Sequence, residues 1–284
     1  MFNFPIGAMM DSFRLPTREA IKMVAAVGAQ GFQMYSTKGE NAPENLDKTK
    51  RRELLKYIKD QGLVVSAICG DLGHGFGNAE SNPALIEKSK RIMELAKDLE
   101  TDIVTTHIGV VPSNPNHPRY AIMQEACRAL AEAADSMEAH FAVETGPETS
   151  ATLKAFLDSL NSKGVAVNLD PANLVMVTGD DPVKAVHRLK KYIVHTHAKD
   201  GVMLRRTNPE YIYSVIPMPE DMERIDAFRE TPLGEGSVDF AAYLGALEEI
   251  GYRGFLTIER EAGATPAKDI TLAAEYLRKI MKTN

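Results

Sequence analysis

Apolar positions along this chain follow two alternating rhythms. Short runs rich in Val, Ile, Phe and Thr, too brief for a helix, alternate with longer stretches whose apolar residues recur every three or four positions. Read as strands, the short runs give eight candidates: residues 4–9, 31–35, 63–69, 102–108, 139–145, 164–170, 192–198 and 254–259. The stretches between them are amphipathic. "SNPALIEKSKRIMELAKDL" opens on Asn82 and Pro83, in cap and first-turn positions, and sets Leu85, Ile92, Met93, Ala96 and Leu99 on one face. The last segment does the same with Ile270, Ala273, Leu277 and Ile280.

The junctions repeat as well. "AAVGAQGFQMY", "IKDQGLVVSAI", "LNSKGVAVNLD" and "EEIGYRGFLTIE" each place a glycine where a helix ends in a left-handed residue, with a strand-like run directly after it. Strands alternating with helices imply parallel pairing through right-handed crossovers. Eight such units in 284 residues predict an α/β fold, a closed (β/α)8 TIM barrel. No linker or break in composition divides the chain, so one domain is expected over 1–284. A Rossmann sheet lacks its fingerprint, because the glycines of "GDLGHGFGN" follow the third strand and open no immediate helix. They read as a flexible loop, with phosphate binding as the alternative. Residues 201–236, rich in Met, Pro and Arg, form a long connection after the seventh strand, of a length typical of lids and interface segments.

Alternate strand residues face the barrel interior, so parity sorts the polar ones. In "YIVHTHAKDG", residues 192–201, His195, His197 and Lys199 share the inward side. Asn168 and Asp170 share it in the sixth strand, Thr257 and Glu259 in the eighth, Thr105 and His107 in the fourth, and Glu144 ends the fifth. The ionisable residue stands at or near the last inward position each time, at the C-terminal mouth where barrel enzymes place their sites. Three carboxylates and an imidazole crowded there repel one another unless a cation joins them. The expected metal ligands are therefore Glu144, Asp170, His197 and Glu259. An oxygen-rich set with one imidazole suits Mn²⁺, Mg²⁺ or Co²⁺ better than a thiolate site, with zinc as the alternative. His195, one layer deeper, is a candidate for supporting hydrogen bonds and is grouped with the substrate-binding set. His74, His117, His140 and His187 read as solvated.

Composition narrows the partners. A formal net charge of −6 supplies no basic footprint for nucleic acid, and no apolar run is long enough to span a membrane, so a small substrate and a cytoplasmic location are expected. Cys69 and Cys127 sit in no metal-type spacing and read as buried thiols. Helical faces rich in Ala and Leu favour a homo-oligomer, a dimer or tetramer.

"AVETG", "NLDPANL" followed by "GDDPVKAV", "VHTHAKD" and "PLGEGSVDFAAYLGALEEIGYRGFLTIE" resemble the xylose isomerase-like TIM-barrel superfamily, in its sugar isomerase and epimerase branch. The resemblance implies one divalent-metal site on the same four residues. In the family's ketose 3-epimerases the two glutamate ligands also form the acid/base pair, which implies catalytic roles for Glu144 and Glu259. It further implies substrate contacts for His107, Glu148, Asn173 and Arg205. Asn173 stands where relatives often hold histidine. Arg205 lies further along the chain than the arginine that follows the strand-seven histidine in relatives. With no Trp in the chain, Phe13, Tyr35 or Phe76 would line the sugar pocket. The expected activity is epimerisation or isomerisation of a ketose or related polyhydroxy carbonyl compound through an enediolate. A metal-dependent dehydratase of inosose or dehydroshikimate type, a non-catalytic sugar-binding barrel and an apurinic endonuclease relative are the alternatives.

Overall fold

Eight strands pair in parallel and close on themselves: β1 (Ile6–Met9), β2 (Gly31–Tyr35), β3 (Val64–Cys69), β4 (Ile103–Thr106), β5 (His140–Glu144), β6 (Val165–Leu169), β7 (Ile193–Ala198) and β10 (Leu256–Ile258). The structure, a computed structural model, describes residues 2–283. Barrel neighbours follow chain order, and β1 closes the ring against β10 with Ile6 opposite Leu256. Between β7 and β10 the chain makes a separate antiparallel hairpin, β8 (Asp200–Met203) with β9 (Phe228–Thr231). The outer helices are α1 (Thr17–Ala26), α2 (Lys48–Asp60), α3 (Asn82–Asp98), α4 (Pro118–Ser136), α5 (Ser150–Leu160), α7 (Pro182–Leu189), α9 (Phe240–Glu249) and α10 (Pro266–Thr283). Two short helices lie at the mouth, α6 (Pro171–Asn173), continuing into a π turn at Leu174–Thr178, and α8 (Pro209–Ile212). Among the described residues no helix is long and apolar enough to cross a membrane.

Strand parity divides two different cores. Phe32 and Met34 flank Gln33 in β2 and are fully buried in the apolar cluster that joins strands to helices. Gln33 turns the other way, where its Nε2 donates to Thr105 Oγ1 at 2.8 Å. Thr105, Asn168, His195, His197 and Thr257 join it in the barrel interior, all with no solvent exposure. Many barrels fill this space with branched apolar residues. Here a hydrogen-bonded polar column runs up the axis, which spares each buried polar group the cost of lacking a partner.

Three of the four glycine junctions behave as the pattern predicts: Gly28, Gly62 and Gly251 have φ of 72°, 71° and 76°. At the fourth, Asn161 takes the left-handed position (φ 50°), and Gly164 is required for another reason. A Cβ there would lie 2.0 Å from the Ala131 carbonyl oxygen of α4.

The motif "PLGEGSVD" is explained by Asp200. Its buried carboxylate accepts the backbone N–H of Gly201 (2.8 Å), Gly234 (3.0 Å), Gly236 (3.0 Å) and Val238 (3.1 Å). A Cβ on residue 236 would come within 2.1 Å of Asp200 Oδ1, so only glycine lets the backbone close on that carboxylate.

Candidate metal centre

Four strands deliver the cluster. Glu144 ends β5, Asp170 follows β6 and caps α6 by accepting the Asn173 N–H at 2.8 Å, His197 lies in β7, and Glu259 follows β10. One ligand atom from each lies within 4.8 Å of all the others, and all four residues are buried. His197 Nδ1 is 3.1 Å from Asp170 Oδ2, 3.3 Å from Glu259 Oε2 and 3.5 Å from Glu144 Oε1. Ligand atoms on an octahedral shell with bonds near 2.1 Å are about 3 Å apart along an edge, so this spacing and this oxygen-rich set fit a divalent cation. His197 Nε2 lies 2.9 Å from Gln33 Oε1. Donation of its proton to Gln33 leaves Nδ1 as the ligand atom.

Hydrogen bonds from Asn168, Asn173 and Lys199 fix the carboxylates. His195 Nδ1 is 2.9 Å from Asn168 Oδ1, and its Nε2 is 2.9 Å from Thr257 Oγ1. Burial, then the neighbouring His197, pushes His195 well below the usual histidine range, so its ring is neutral. It donates from Nδ1 and accepts from Thr257. Asn168 Nδ2 in turn donates to Glu144 Oε2 at 3.1 Å, and Asn173 Nδ2 to Glu144 Oε1 at 3.1 Å. Lys199, 4% exposed, donates to Glu259 Oε2 at 2.9 Å and to Glu261 Oε2 at 2.7 Å.

The charges set one another. Burial raises the Glu259 carboxyl, but Lys199 and His197 outweigh it and hold the group well below the carboxylate range. Burial lowers His197, but the charges of Glu259 and Glu144 and the hydrogen bond to Asp170 lift it well above the histidine range. His107 follows the same logic. Burial lowers it, while Glu144 and its bond to Asp71 push it up to about 9. Its Nδ1 is 3.1 Å from Asp71 Oδ2, and its Nε2, 3.7 Å from Glu144 Oε1, has no hydrogen-bond partner among the described residues.

Above the cluster opens a pocket of about 260 Å³. Glu144, Glu259, Asn173, His107 and Lys199 face it from the strand ends, with Tyr35 in the wall. The glycine loop after β3 contributes Gly73, His74 and Gly75, and the connection after β7 contributes Ile212, Tyr213 and Ser214. Tyr213 packs against His107, ring centroids 5.3 Å apart.

Several expectations are corrected. His195 does not reach the pocket: it is wholly buried beneath it and acts on Glu144 through Asn168. Arg205 is exposed on the connection after β7 and lines no part of the pocket, because the chain turns away there into the hairpin with β9. Glu148 borders a neighbouring cleft instead, and its Oε2 accepts the Val111 N–H at 3.0 Å. Phe13 and Phe76 belong to the apolar core, while Tyr35 reaches the pocket. His74 lines the pocket, His117 caps α4, and His140 opens β5 half-buried. Cys69 and Cys127 are free and buried, and burial pushes both thiols up. Asp71, Lys199, Glu261 and Tyr213 are pocket residues that the sequence reading did not name as site residues. Lys199 carried a signal, since it shares inward parity with His197.

The chain belongs to the xylose isomerase-like TIM barrel family, whose pattern it matches over residues 21–280. It is 26% identical over 148 residues to an inosose dehydratase of Lacticaseibacillus casei, a match covering 50% of this chain and 47% of that protein. It is 22% identical over 287 residues to a putative L-ribulose-5-phosphate 3-epimerase of Haemophilus influenzae, covering 93% of this chain and 91% of that one. The crystal structure of a xylose isomerase domain protein from Planctomyces limnophilus superposes with a TM-score of 0.80 at 24% identity, covering 99% of this chain and 97% of the other. Relatives in this family are thus named as epimerases and as dehydratases.

Proposed function

We propose that this protein is a divalent-metal-dependent epimerase or isomerase acting on a ketose or related α-hydroxycarbonyl compound, with Glu144, Asp170, His197 and Glu259 as ligands. The observation that carries this reading is the pair Glu144 and Glu259: two carboxylates from strands three steps apart in the barrel, converging on one imidazole and facing one pocket. A cation held there would draw charge from adjacent carbonyl and hydroxyl oxygens and stabilise an enediolate. One glutamate removes the proton next to the carbonyl and the other returns one from the opposite face, which inversion at carbon requires. Asn168 and Asn173 fix the Glu144 carboxylate, and Lys199 fixes that of Glu259, so each base is oriented before substrate arrives. Asn173 and His107 stand within the pocket to contact substrate hydroxyls, with Tyr35 and Tyr213 giving it aromatic walls.

A dehydratase reading is favoured by one further observation. The Asp71–His107 pair holds an imidazole, pushed up to about 9, with an unpartnered Nε2 beside Glu144. Such a group could protonate a departing hydroxyl. Proton NMR of candidate substrates in D₂O with Mn²⁺, Mg²⁺ or Co²⁺ separates the two: an epimerase incorporates deuterium and keeps the carbon skeleton saturated, whereas a dehydratase yields an unsaturated product. Glu144→Gln and Glu259→Gln, checked for folding by circular dichroism, should each lower turnover by about 100-fold or more. Folded variants with full activity end the proposal.

A further inference from the structure

Of the four cluster residues, Glu259 is held least by regular structure. His197 lies within β7, Glu144 closes β5, and Asp170 is fixed as the cap of α6. Glu259 stands one position past β10, and its N–H reaches the Ala198 carbonyl oxygen at 3.3 Å, long for a ladder bond.

A carboxylate from outside the barrel supplies what the strand does not. Glu230, on β9, accepts a hydrogen bond from each of the three residues that follow Glu259: Arg260 Nη1 at 2.6 Å, the Glu261 N–H at 3.1 Å and the Ala262 N–H at 3.2 Å, all on Oε1. Its Oε2 lies 4.0 Å from Lys199 Nζ, which itself donates to Glu259. The side chains of Glu230, Lys199 and Arg260 are 6%, 4% and 9% exposed, so solvent barely screens these contacts. Arg14 also grips the turn, at the Glu261 and Gly263 carbonyl oxygens, but from the solvent side. Register puts Glu230 in place: it pairs with Gly201, two residues beyond Lys199, so the hairpin bridges the strand that carries His197 and the turn that carries Glu259.

Resting on the reading of Glu259 as metal ligand and base, we infer that Glu230 is a positioning residue for Glu259, acting through residues 260–262. It lines no part of the pocket. Its grip fixes the turn before a cation or substrate arrives and keeps Glu259 Oε2 3.3 Å from His197 Nδ1. The β8–β9 hairpin is then a bracket for a reacting group, and a displacement of such a group by about 1 Å costs about 100-fold in rate.

Two substitutions separate the grip from the charge. Glu230→Asp keeps the charge and withdraws the carboxylate from the turn by one methylene. Glu230→Gln keeps an oxygen at the original reach and drops the charge. On protein shown to be folded by circular dichroism, Glu230→Asp should weaken Mn²⁺ binding about 10–100-fold, the usual cost of losing an outer partner, and Glu230→Gln by no more than about threefold. Nitrogen NMR of the metal-free protein gives a second readout, with the His197 ring assigned through His197→Gln. The His197 Nδ1 signal should shift in Glu230→Asp, as Glu259 moves away from it, and stay in place in Glu230→Gln. Signals of His140, at the start of β5, and His187, on α7, should stay in place in both. A role confined to stability would lower the melting temperature and move neither readout. Loss in neither variant, loss in Glu230→Gln alone or equal loss in both overturns the inference. If the wild type takes up no Mn²⁺, the metal reading fails, and the His197 signal still decides whether Glu230 holds Glu259 in place.

Discussion

His195 never touches the pocket, yet Asn168 links it to a glutamate that does. Thr257 donates to its Nε2, its Nδ1 donates to Asn168, and Asn168 donates to Glu144. Replacing it strips Asn168 Oδ1 of its donor and leaves the amide held only through Nδ2. His195→Ala should weaken Mn²⁺ affinity about 10–100-fold, the usual cost of losing an outer-shell partner, as measured by calorimetry on folded protein. An unchanged affinity shows that Asn168 holds Glu144 unaided. Glu148 gives a prediction of the opposite kind. Burial pushes its carboxyl up to about 8, above its value in the unfolded chain, so the folded state keeps a proton that the unfolded state releases. Stability is therefore lost as pH rises from about 5 to about 8, by at most about 1.4 kcal/mol per unit. Glu148→Gln should remove that slope, seen as urea midpoints that converge with wild type at pH 5 and exceed it at pH 8. Parallel midpoint curves sink the assignment. At this scale the sequence was legible where side chains sit on strands, because inward parity alone gathers Glu144, Asp170, His197 and Glu259. Asp71 and Tyr213 lie on connections, where no period fixes direction.

At the scale of elements, Asp200 decides how the connection after β7 returns to the barrel. Four backbone N–H groups from residues 201–238 converge on its carboxylate, and the segment between them carries Ile212, Tyr213 and Ser214 to the pocket edge. Asp200→Ala leaves those donors without an acceptor in a largely buried place. It should cost at least about 2 kcal/mol, since even one stranded buried donor costs about 1–3 kcal/mol. Hydrogen exchange should speed up over residues 228–238 first, and KM should rise as the pocket edge loosens. Unchanged exchange there places the anchor elsewhere. The eight barrel strands were readable because each is a brief apolar run between amphipathic stretches, four of them just after a helix-ending signal. The β8–β9 hairpin was not. "FRET" in β9 is partly exposed and half charged, so it carries no run of apolar residues, and its partners are distant in sequence, with Asp200 opposite Thr231 and Met203 opposite Phe228. Gly164 shows the same limit, since its close approach to Ala131 is a tertiary contact.

The whole molecule couples its fold to its charge. Three carboxylates meet at the top of a hydrogen-bonded column, in a chain of formal net charge −6. Without a cation, His197 is their counter-ion: its folded pKa is raised well above the usual value, so the imidazolium persists through neutral pH. A divalent ion must displace that proton. Uptake should release about one proton near pH 7, and apparent affinity should rise with pH by up to about tenfold per unit. Because the unfolded chain lacks the site, ligand at 100 times its dissociation constant should stabilise the fold by about 2.7 kcal/mol. For a chain of this length that corresponds to a Tm increase of about 5 °C, larger at pH 8 than at pH 6 for a fixed metal concentration. Calorimetric titration with Mn²⁺ in buffers of different ionisation enthalpy counts the proton, and thermal melts with Mn²⁺ and then EDTA read the stability. Asp170→Asn should abolish both effects. A melt that Mn²⁺ leaves unmoved, or an Asp170→Asn variant that keeps the full shift, removes the cation from the centre of the barrel and leaves the cluster a self-neutralised ion pair network.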